Sequence, residues 1–410
     1  MPQRNPSSTS NMRPPRRREP RLGARQRKLY REAIEAHFEK RHRRLDIVAT
    51  TRTAHGQIID WVPIESQVRG GVIAEPPSEN RTLEIHGRQR ARIAQPVLAL
   101  RDARLGPTGT VPIARPVLKQ LPAVSLSQFL SKHGHDVLIA NLENGISIEL
   151  PEDGASPHLY AASAQFDINF GGEGWLSLNP TWVEWSNEFS LMQTAISNNE
   201  SGVKQTAEVG WQVYKQMYGD WIPHLFIFYT TNGYREQGDG KGGYNTDVTG
   251  WVQHDNLIFP RCTFSALSTP GGAQFMIHIK VQLWRGNWWV RVQGRWMGYY
   301  PELLFQGGGS TFSSLGDHAN RISFYGEITD QPNDKRDTRT DMGSGRFADQ
   351  RWLWAAFQRN LMRQTTRQGA LAEYNGVTWA TDPKKYSVEK HFRSGTDWGS
   401  YMWLGGPGAG

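Results

Sequence analysis

The chain lacks most of what would mark a cofactor enzyme, a disulfide scaffold or a membrane protein. A single cysteine, Cys262, among 410 residues rules out an intrachain disulfide. No run of about 18 apolar residues occurs, so no membrane-spanning helix is expected. The opening MPQRNPSSTSNMRPPRRREP has no apolar stretch of the kind a secretory signal needs, and none is visible. HExxH is missing, and GSG at 343–345 lacks the flanking residues of a nucleophile elbow. GDGKGG at 238–243 has no strand–helix context for a phosphate loop. Cys262 sits in the apolar string RCTFSAL and is expected to be a buried small side chain, not a nucleophile. No metal or cofactor is expected on these grounds.

Positive charge is scarce where a nucleic-acid binder would need it. The chain holds 47 Lys and Arg against 39 Asp and Glu. Residues 1–44 account for 14 and 4 of these, leaving 33 against 35 in the remainder. The basic excess belongs to an N-terminal arm, and the folded body is near neutral. Counterion release needs a basic patch on the body, so no nucleic-acid partner is expected for it.

What is abundant points to strands. There are 42 glycines and 16 tryptophans, and 15 of the tryptophans follow residue 170. Residues 1–28, rich in Pro, Ser and Arg, read as a disordered basic tail. Residues 29–150 read as a smaller α+β or mainly β unit with no catalytic constellation. Within it, LYREAIEAHFEKRHRR (29–44) suits a helix with Tyr30, Ile34 and Phe38 on one face. IVATT and QIIDWVPI suit strands around the turn-former Gly56. VSLSQFLSKHG (124–134) suits a short helix with a Ser125–Gln128 capping box, ending at Gly134. VLIANLENGISIEL suits a hairpin turned at Glu143-Asn144-Gly145. Residues 155–410 alternate strand-like runs with Gly and Asn turns and predict an antiparallel β-sandwich of two sheets, jelly-roll-like. In QFMIHIKVQLW, Phe275, Ile277, Ile279, Val281 and Leu283 face the core, and His278, Lys280 and Gln282 face solvent or a groove.

Strand parity singles out two carboxyls. In AEVGWQVY, Glu208, Gly210, Gln212 and Tyr214 share a face opposite Val209, Trp211 and Val213. In RISFYGEIT, Arg321, Ser323, Tyr325, Glu327 and Thr329 share a face opposite Ile322, Phe324, Gly326 and Ile328. Each glutamate therefore occupies the polar face of its strand beside a glycine, where a ligand or another backbone can approach closely. Two close carboxyls do not both ionise readily, so such a pair offers an acid and a base without a metal.

At these residues the chain resembles the neprosin family of glutamic endopeptidases. The matching strings run in order: YAASAQFDI (160–168), NEFSLMQ (187–193), AEVGWQVYKQMYGD (207–220), LFIFYTTNGY (225–234), GGAQF (271–275), NWWVRVQGRWMGYYPELLF (287–305), FYGEI (324–328), MGSGRF (342–347), FQRNL (357–361) and DWGSYMWLGGPG (397–408). The resemblance implies a two-sheet β-sandwich with Glu208 and Glu327 as catalytic residues. It implies cleavage on the carboxyl side of proline under acidic conditions, an extracellular location and an N-terminal propeptide, for which residues 45–150 are the candidate. Where the family's plant members carry cysteine pairs, GGYNTDV (242–248) and KKYSV (384–388) have none.

The expected partner is a peptide or protein substrate bound to a monomer, with no membrane partner. Trp211, Trp288, Trp289, Trp296 and Tyr325 are candidate walls for a proline-binding groove, and Gln212 and Tyr214 are candidates to orient water or substrate. Two other functions fit the same features: a non-catalytic carbohydrate- or peptide-binding sandwich, and a two-carboxylate glycosidase. Assays on peptides and polysaccharides side by side separate them.

Overall fold

A computed structural model describes residues 23–53, 56–78, 93–94, 105–117, 124–132, 138–142, 145–149, 158–306, 314–331, 334 and 336–409. Most of the basic tail, residues 1–22, lies outside these, as do Gly134 and the hairpin's Glu143 and Asn144.

The N-terminal unit opens with helix α1 (Ala24–His42), which begins five residues earlier than the sequence pattern suggests. Its Ile34 and Phe38 are buried, as their spacing predicts. Strands β1 (Ala49–Arg52) and β2 (Ile58–Pro63) follow, then the two-residue β3 (Ile93–Ala94), β4 (Thr110–Ala114) and the short helix α2 (Leu126–Leu130). β1, β2 and β4 form a three-stranded antiparallel sheet. α2 starts at the expected capping box. Ser125 Oγ accepts from the Gln128 N–H at 3.2 Å, and the Gln128 side chain accepts from the Ser125 N–H at 3.1 Å. The helix stops at Leu130, leaving Ser131 and Lys132 extended beyond it. β5 (Leu138–Leu142) and β6 (Gly145–Glu149) pair as the expected hairpin.

The rest of the chain is a sandwich of two large sheets. In order, its elements are β7 (His158–Asn169), β8 (Gly171–Ser177), β9 (Ser190–Asn198), β10 (Gln205–Val213), α3 (Lys215–Tyr218), β11 (His224–Thr230), β12 (Gly242–Tyr244) and β13 (Val252–Gln253). There follow β14 (Gln274–Trp284), β15 (Asn287–Val292), β16 (Arg295–Pro301), β17 (Ala319–Thr329), β18 (Ala356–Gln364), β19 (Leu371–Glu373), β20 (Val377–Ala380), β21 (Ser387–His391) and β22 (Tyr401–Gly405). The first sheet has the order β12-β11-β10-β9-β17-β7-β20, antiparallel throughout. The second runs β13-β16-β15-β14-β8-β18-β22-β21, with β19 on β18 and β3 parallel to β14.

The core between the sheets is built from the apolar faces that parity predicts. Val209, Trp211 and Val213 of the first sheet join Ile322, Phe324 and Ile328, and meet Ile277, Ile279 and Val281 of the second. The Trp211 indole N–H donates to the Ser177 carbonyl on β8 at 2.9 Å, tying the sheets together. Burying an indole removes roughly 200 Å² from water, worth up to about 5 kcal/mol. One expectation is corrected here. The opposite face of β14 meets neither solvent nor an open groove: His278, Lys280 and Gln282 are all buried. Burial and the nearby Arg291 and Lys280 push the His278 imidazole down to about 3. Cys262 is buried, which raises its thiol to about 12 and makes it unreactive. Among the described residues no helix is long and apolar enough to cross a membrane.

The N-terminal unit is docked on this body. Phe38 of α1 packs edge-to-face on Phe129 of α2 at 5.8 Å. His37 Nε2 lies 2.7 Å from the Asp247 carbonyl, and Arg41 donates to the Thr246 carbonyl at 2.7 Å. Gln67 bridges to Gln253 through two hydrogen bonds.

Candidate active site

Glu208 and Glu327 belong to strands on either side of β9, and register brings them together. Glu208 of β10 lies opposite Ala195, and Glu327 of β17 lies opposite Leu191. Gln193 falls midway between those two positions on the same face of β9. It faces Gly210 on one side and Tyr325 on the other. The two carboxyls thus flank Gln193 on one face of the first sheet, turned away from the inter-sheet core.

Both are almost wholly buried, at 1% exposure each. Between them sits a cation from the N-terminal unit. Lys132 Nζ donates to Glu208 Oε2 at 2.8 Å and to Glu327 Oε2 at 2.7 Å. The two oxygens are therefore no further apart than these two bonds laid end to end. The same ammonium stands 3.5 Å from Gln193 Oε1 and lies over the rings of Phe228 and Tyr325. Lys132 itself is only 5% exposed. Residues 29–150, read from the sequence as holding no catalytic constellation of their own, thus reach into the candidate site. Their lysine fills the space between the two glutamates.

The other two carboxylate oxygens have different partners. Glu208 Oε1 accepts from the Tyr234 hydroxyl at 2.6 Å and the Thr206 hydroxyl at 2.9 Å, while Gln193 Nε2 donates to Oε2 at 2.7 Å. Gln193 Nε2 also donates to the Tyr325 hydroxyl. Glu327 Oε1 is hydrogen-bonded to Nδ1 of His158 and accepts from the Tyr160 hydroxyl at 3.4 Å. His158 and Tyr160 come from β7, which pairs directly with β17.

These contacts set the protonation states. Burial alone would raise both carboxyls, but the Lys132 ammonium outweighs it. Glu208 is held below the usual carboxylate range. Glu327, with His158 as a second partner, falls to about 2. Burial likewise opposes the charge on Lys132, yet the two glutamates outweigh burial and its pKa is raised. With Lys132 in place, then, both carboxyls favour the ionised form, and the space between them is filled.

Of the sequence-predicted wall residues, only Tyr325 lies in this site. Trp211 and Trp288 are wholly buried in the inter-sheet core, because their strand faces point inward. Trp289 and Trp296 lie on the far side of the second sheet with Tyr299, where the Trp296 indole N–H donates to the Pro77 carbonyl. Gln212 does share the Glu208 face, but its amide is taken up by the Tyr244 and Tyr218 hydroxyls. Tyr214 is buried against Phe189, with ring centroids 5.6 Å apart. The aromatic neighbours of the pair are instead Tyr160, Tyr234, Phe228 and Tyr325. Beyond Tyr325, Trp379 packs on Ala162 and Ala164. Sequence reasoning missed His158, Thr206, Gln193, Tyr234 and Lys132. Thr206 had a legible signal, two residues before Glu208 on the same strand face. Lys132 had none, since nothing in its surroundings marks it as different from a solvated lysine.

Among the described residues no group of three metal-ligating side chains converges. The chemistry on offer is that of two carboxyls, with amide and hydroxyl donors beside them. The neprosin family model matches residues 186–407, a span that contains both glutamates together with Gln193, Thr206, Tyr234 and Tyr325. The chain belongs to the Neprosin family, and that membership implies a peptidase-type function.

Proposed function

We propose that the chain is the latent form of a glutamic endopeptidase that cuts on the carboxyl side of proline, with Glu208 and Glu327 as its catalytic pair. The observation that carries this reading is the bridging of both carboxylates by one ammonium nitrogen. A point that a single atom occupies within hydrogen-bond reach of both groups is where an attacking water would stand.

With Lys132 withdrawn, two buried carboxyls face each other without a cation, and one of them takes up a proton. The ionised member accepts a proton from water as the water oxygen attacks the scissile carbonyl carbon. The protonated member hydrogen-bonds the carbonyl oxygen and then transfers its proton to the leaving nitrogen as the C–N bond breaks. Gln193 Nε2 and the Tyr325 hydroxyl, beside the pair, are placed to donate to the oxyanion. No cofactor enters. For a substrate proline, Tyr325, Tyr160 and Trp379 offer the flat apolar surfaces that sequence reasoning sought among other residues.

Residues 29–150 are then a propeptide, and Lys132 is its inhibitory group. Its hold depends on pH with a definite sign. The glutamates are depressed when docked, so docking is favoured above their undocked values. It weakens as pH falls from the undocked values, one of them raised above the ordinary 4.5 by the neighbouring carboxyl, toward the docked value of about 2 for Glu327. Acid therefore loosens the plug. The full chain, incubated across this pH range with a proline-containing peptide, should cleave it after proline at acidic pH only. Intact peptide at every pH, with the chain folded and the N-terminal unit removed, would falsify the reading.

A further inference from the structure

The two glutamates are not equivalent, and the difference lies in what each holds with the oxygen that Lys132 does not touch. Glu208 Oε1 is held by two hydroxyls, from Tyr234 and Thr206. Hydroxyls rotate, so each can donate to a carboxylate or accept from a carboxylic acid. Glu327 Oε1 is held by the Nδ1 of His158. An imidazole protonated on both nitrogens only donates. Hydroxyl partners tolerate either state of Glu208; a cationic imidazole favours only the ionised state of Glu327.

His158 is well placed to keep this role. It is 6% exposed, stacks on Tyr160 at 6.2 Å and meets the edge of Phe189 at 5.8 Å. Its strand is the direct neighbour of β17, with Tyr160 opposite Glu327 and His158 opposite Thr329. The imidazole therefore reaches Glu327 along a fixed diagonal of the ladder. Among the described residues, the charged and titratable groups around Glu327 include Lys132, Glu208, His158, Tyr160, Tyr244 and Tyr325. Once Lys132 leaves, His158 is the one imidazole among these groups, and its Nδ1 stays on Glu327 Oε1.

We propose that His158 is a positioning residue that makes Glu327 the proton-accepting member of the pair and leaves Glu208 to carry the proton. This rests on the peptidase reading for its consequence and on geometry for its content. Glu327 takes the proton of the attacking water. The proton Glu208 delivers leaves from Oε2, the oxygen that faces the point Lys132 occupies, while the hydroxyls of Tyr234 and Thr206 hold Oε1. It passes to the leaving nitrogen, and the proton gained by Glu327 restores the starting state when it returns to Glu208 through solvent.

The test separates the two glutamates. Full-length protein carrying Lys132→Ala and Glu208→Gln leaves Glu327 alone; Lys132→Ala with Glu327→Gln leaves Glu208 alone. Each is inactive and does not digest itself. The infrared band of the protonated carboxyl is followed against pH, with the variant lacking both glutamates subtracted. Glu327 should ionise at lower pH than Glu208, with an about tenfold lower proton affinity. Adding His158→Asn, which keeps a neutral donor, should close most of that gap and leave Glu208 unmoved. Glu208 ionising first, or Glu327 unmoved by His158→Asn, overturns the proposal. In the otherwise unaltered chain, His158→Asn should shift the acid limb of the kcat profile to higher pH with KM within about threefold; an unshifted limb also overturns it. Absence of peptidase activity in the unaltered chain would instead defeat the functional reading, and the infrared titration would still decide the ionisation order.

Discussion

At the scale of single residues, Lys132 has the largest predicted consequence. It is a buried cation shared by two buried anions, and removing one partner of such an arrangement costs about 3–5 kcal/mol. Lys132→Met keeps the length and the apolar stem but removes the charge. The glutamates it leaves are buried and uncompensated, so one takes a proton and docking no longer gains from their ionisation. The variant should release its N-terminal unit about two to four orders of magnitude more readily at neutral pH, by the same 3–5 kcal/mol. The measurement is the rate of self-processing at pH 7, followed by mass spectrometry. A pH dependence identical to that of the unaltered chain would show that Lys132 is a bystander. The glutamates give the complementary expectation. Glu208→Gln and Glu327→Gln should each lower kcat on a proline peptide by about a thousandfold or more, since each removes one of two obligatory proton carriers. Full activity in either variant removes that residue from the mechanism.

At the scale of elements, β9 does the assembling, and its neighbours show how tightly. A Cβ on Gly210 would stand 2.0 Å from the Met192 carbonyl oxygen and 2.7 Å from Gln193 Cα, both backbone atoms of β9. A Cβ on Gly326 would meet Met342 Sδ at 2.7 Å and Leu404 Cδ1 at 3.1 Å, the flexible ends of side chains. The glycines beside the two glutamates thus serve close packing within the fold. Gly326→Ala should cost about 1–3 kcal/mol, the usual range for overpacking, and Gly210→Ala more than that. Thermal unfolding of the two variants checks the order; equal losses would mean that β9 can move. The same strand explains what was legible in the sequence. β10 and β17 each alternate an apolar core face with a polar one, so parity found their glutamates. β9, SLMQTAISN, is buried at every position and shows no clean alternation. The strand that brings the glutamates together, and its Gln193, was therefore invisible to periodicity. The tryptophans misled for the opposite reason. The strand of Trp211 was recognised, but an indole buried between sheets and one lining a cleft look alike in sequence.

At the scale of the whole molecule, the proposed latch and the sheet that carries both glutamates are one chain, which on that proposal restricts where a maturing cut can fall. Lys132 ends the described segment 124–132, β5 and β6 follow it, and His158 opens β7. Releasing the latch from the body requires a cut between Lys132 and His158. Two prolines lie between them, Pro151 and Pro157, and Pro122 precedes Lys132. A cut after Pro122 leaves Lys132 still joined to the body and so still held near the glutamates at high effective concentration. A cut after Pro157 would have to draw His158 out of β7 and away from Glu327, against buried contacts. Pro151 lies beyond Lys132 and short of the strand. Acid loosens the Lys132 contacts first, by the sign derived above, and the bond after Pro151 then becomes the productive one. The mature N-terminus should therefore be Glu152, formed only at acidic pH. Pro151→Ala should stall the chain at full length or after a cut at Pro122, whereas Pro122→Ala should mature normally. N-terminal sequencing of acid-treated protein decides it. A mature chain beginning at Ala123, active with Lys132 still attached, would mean that acid alone disengages the latch and that cutting is incidental to activation.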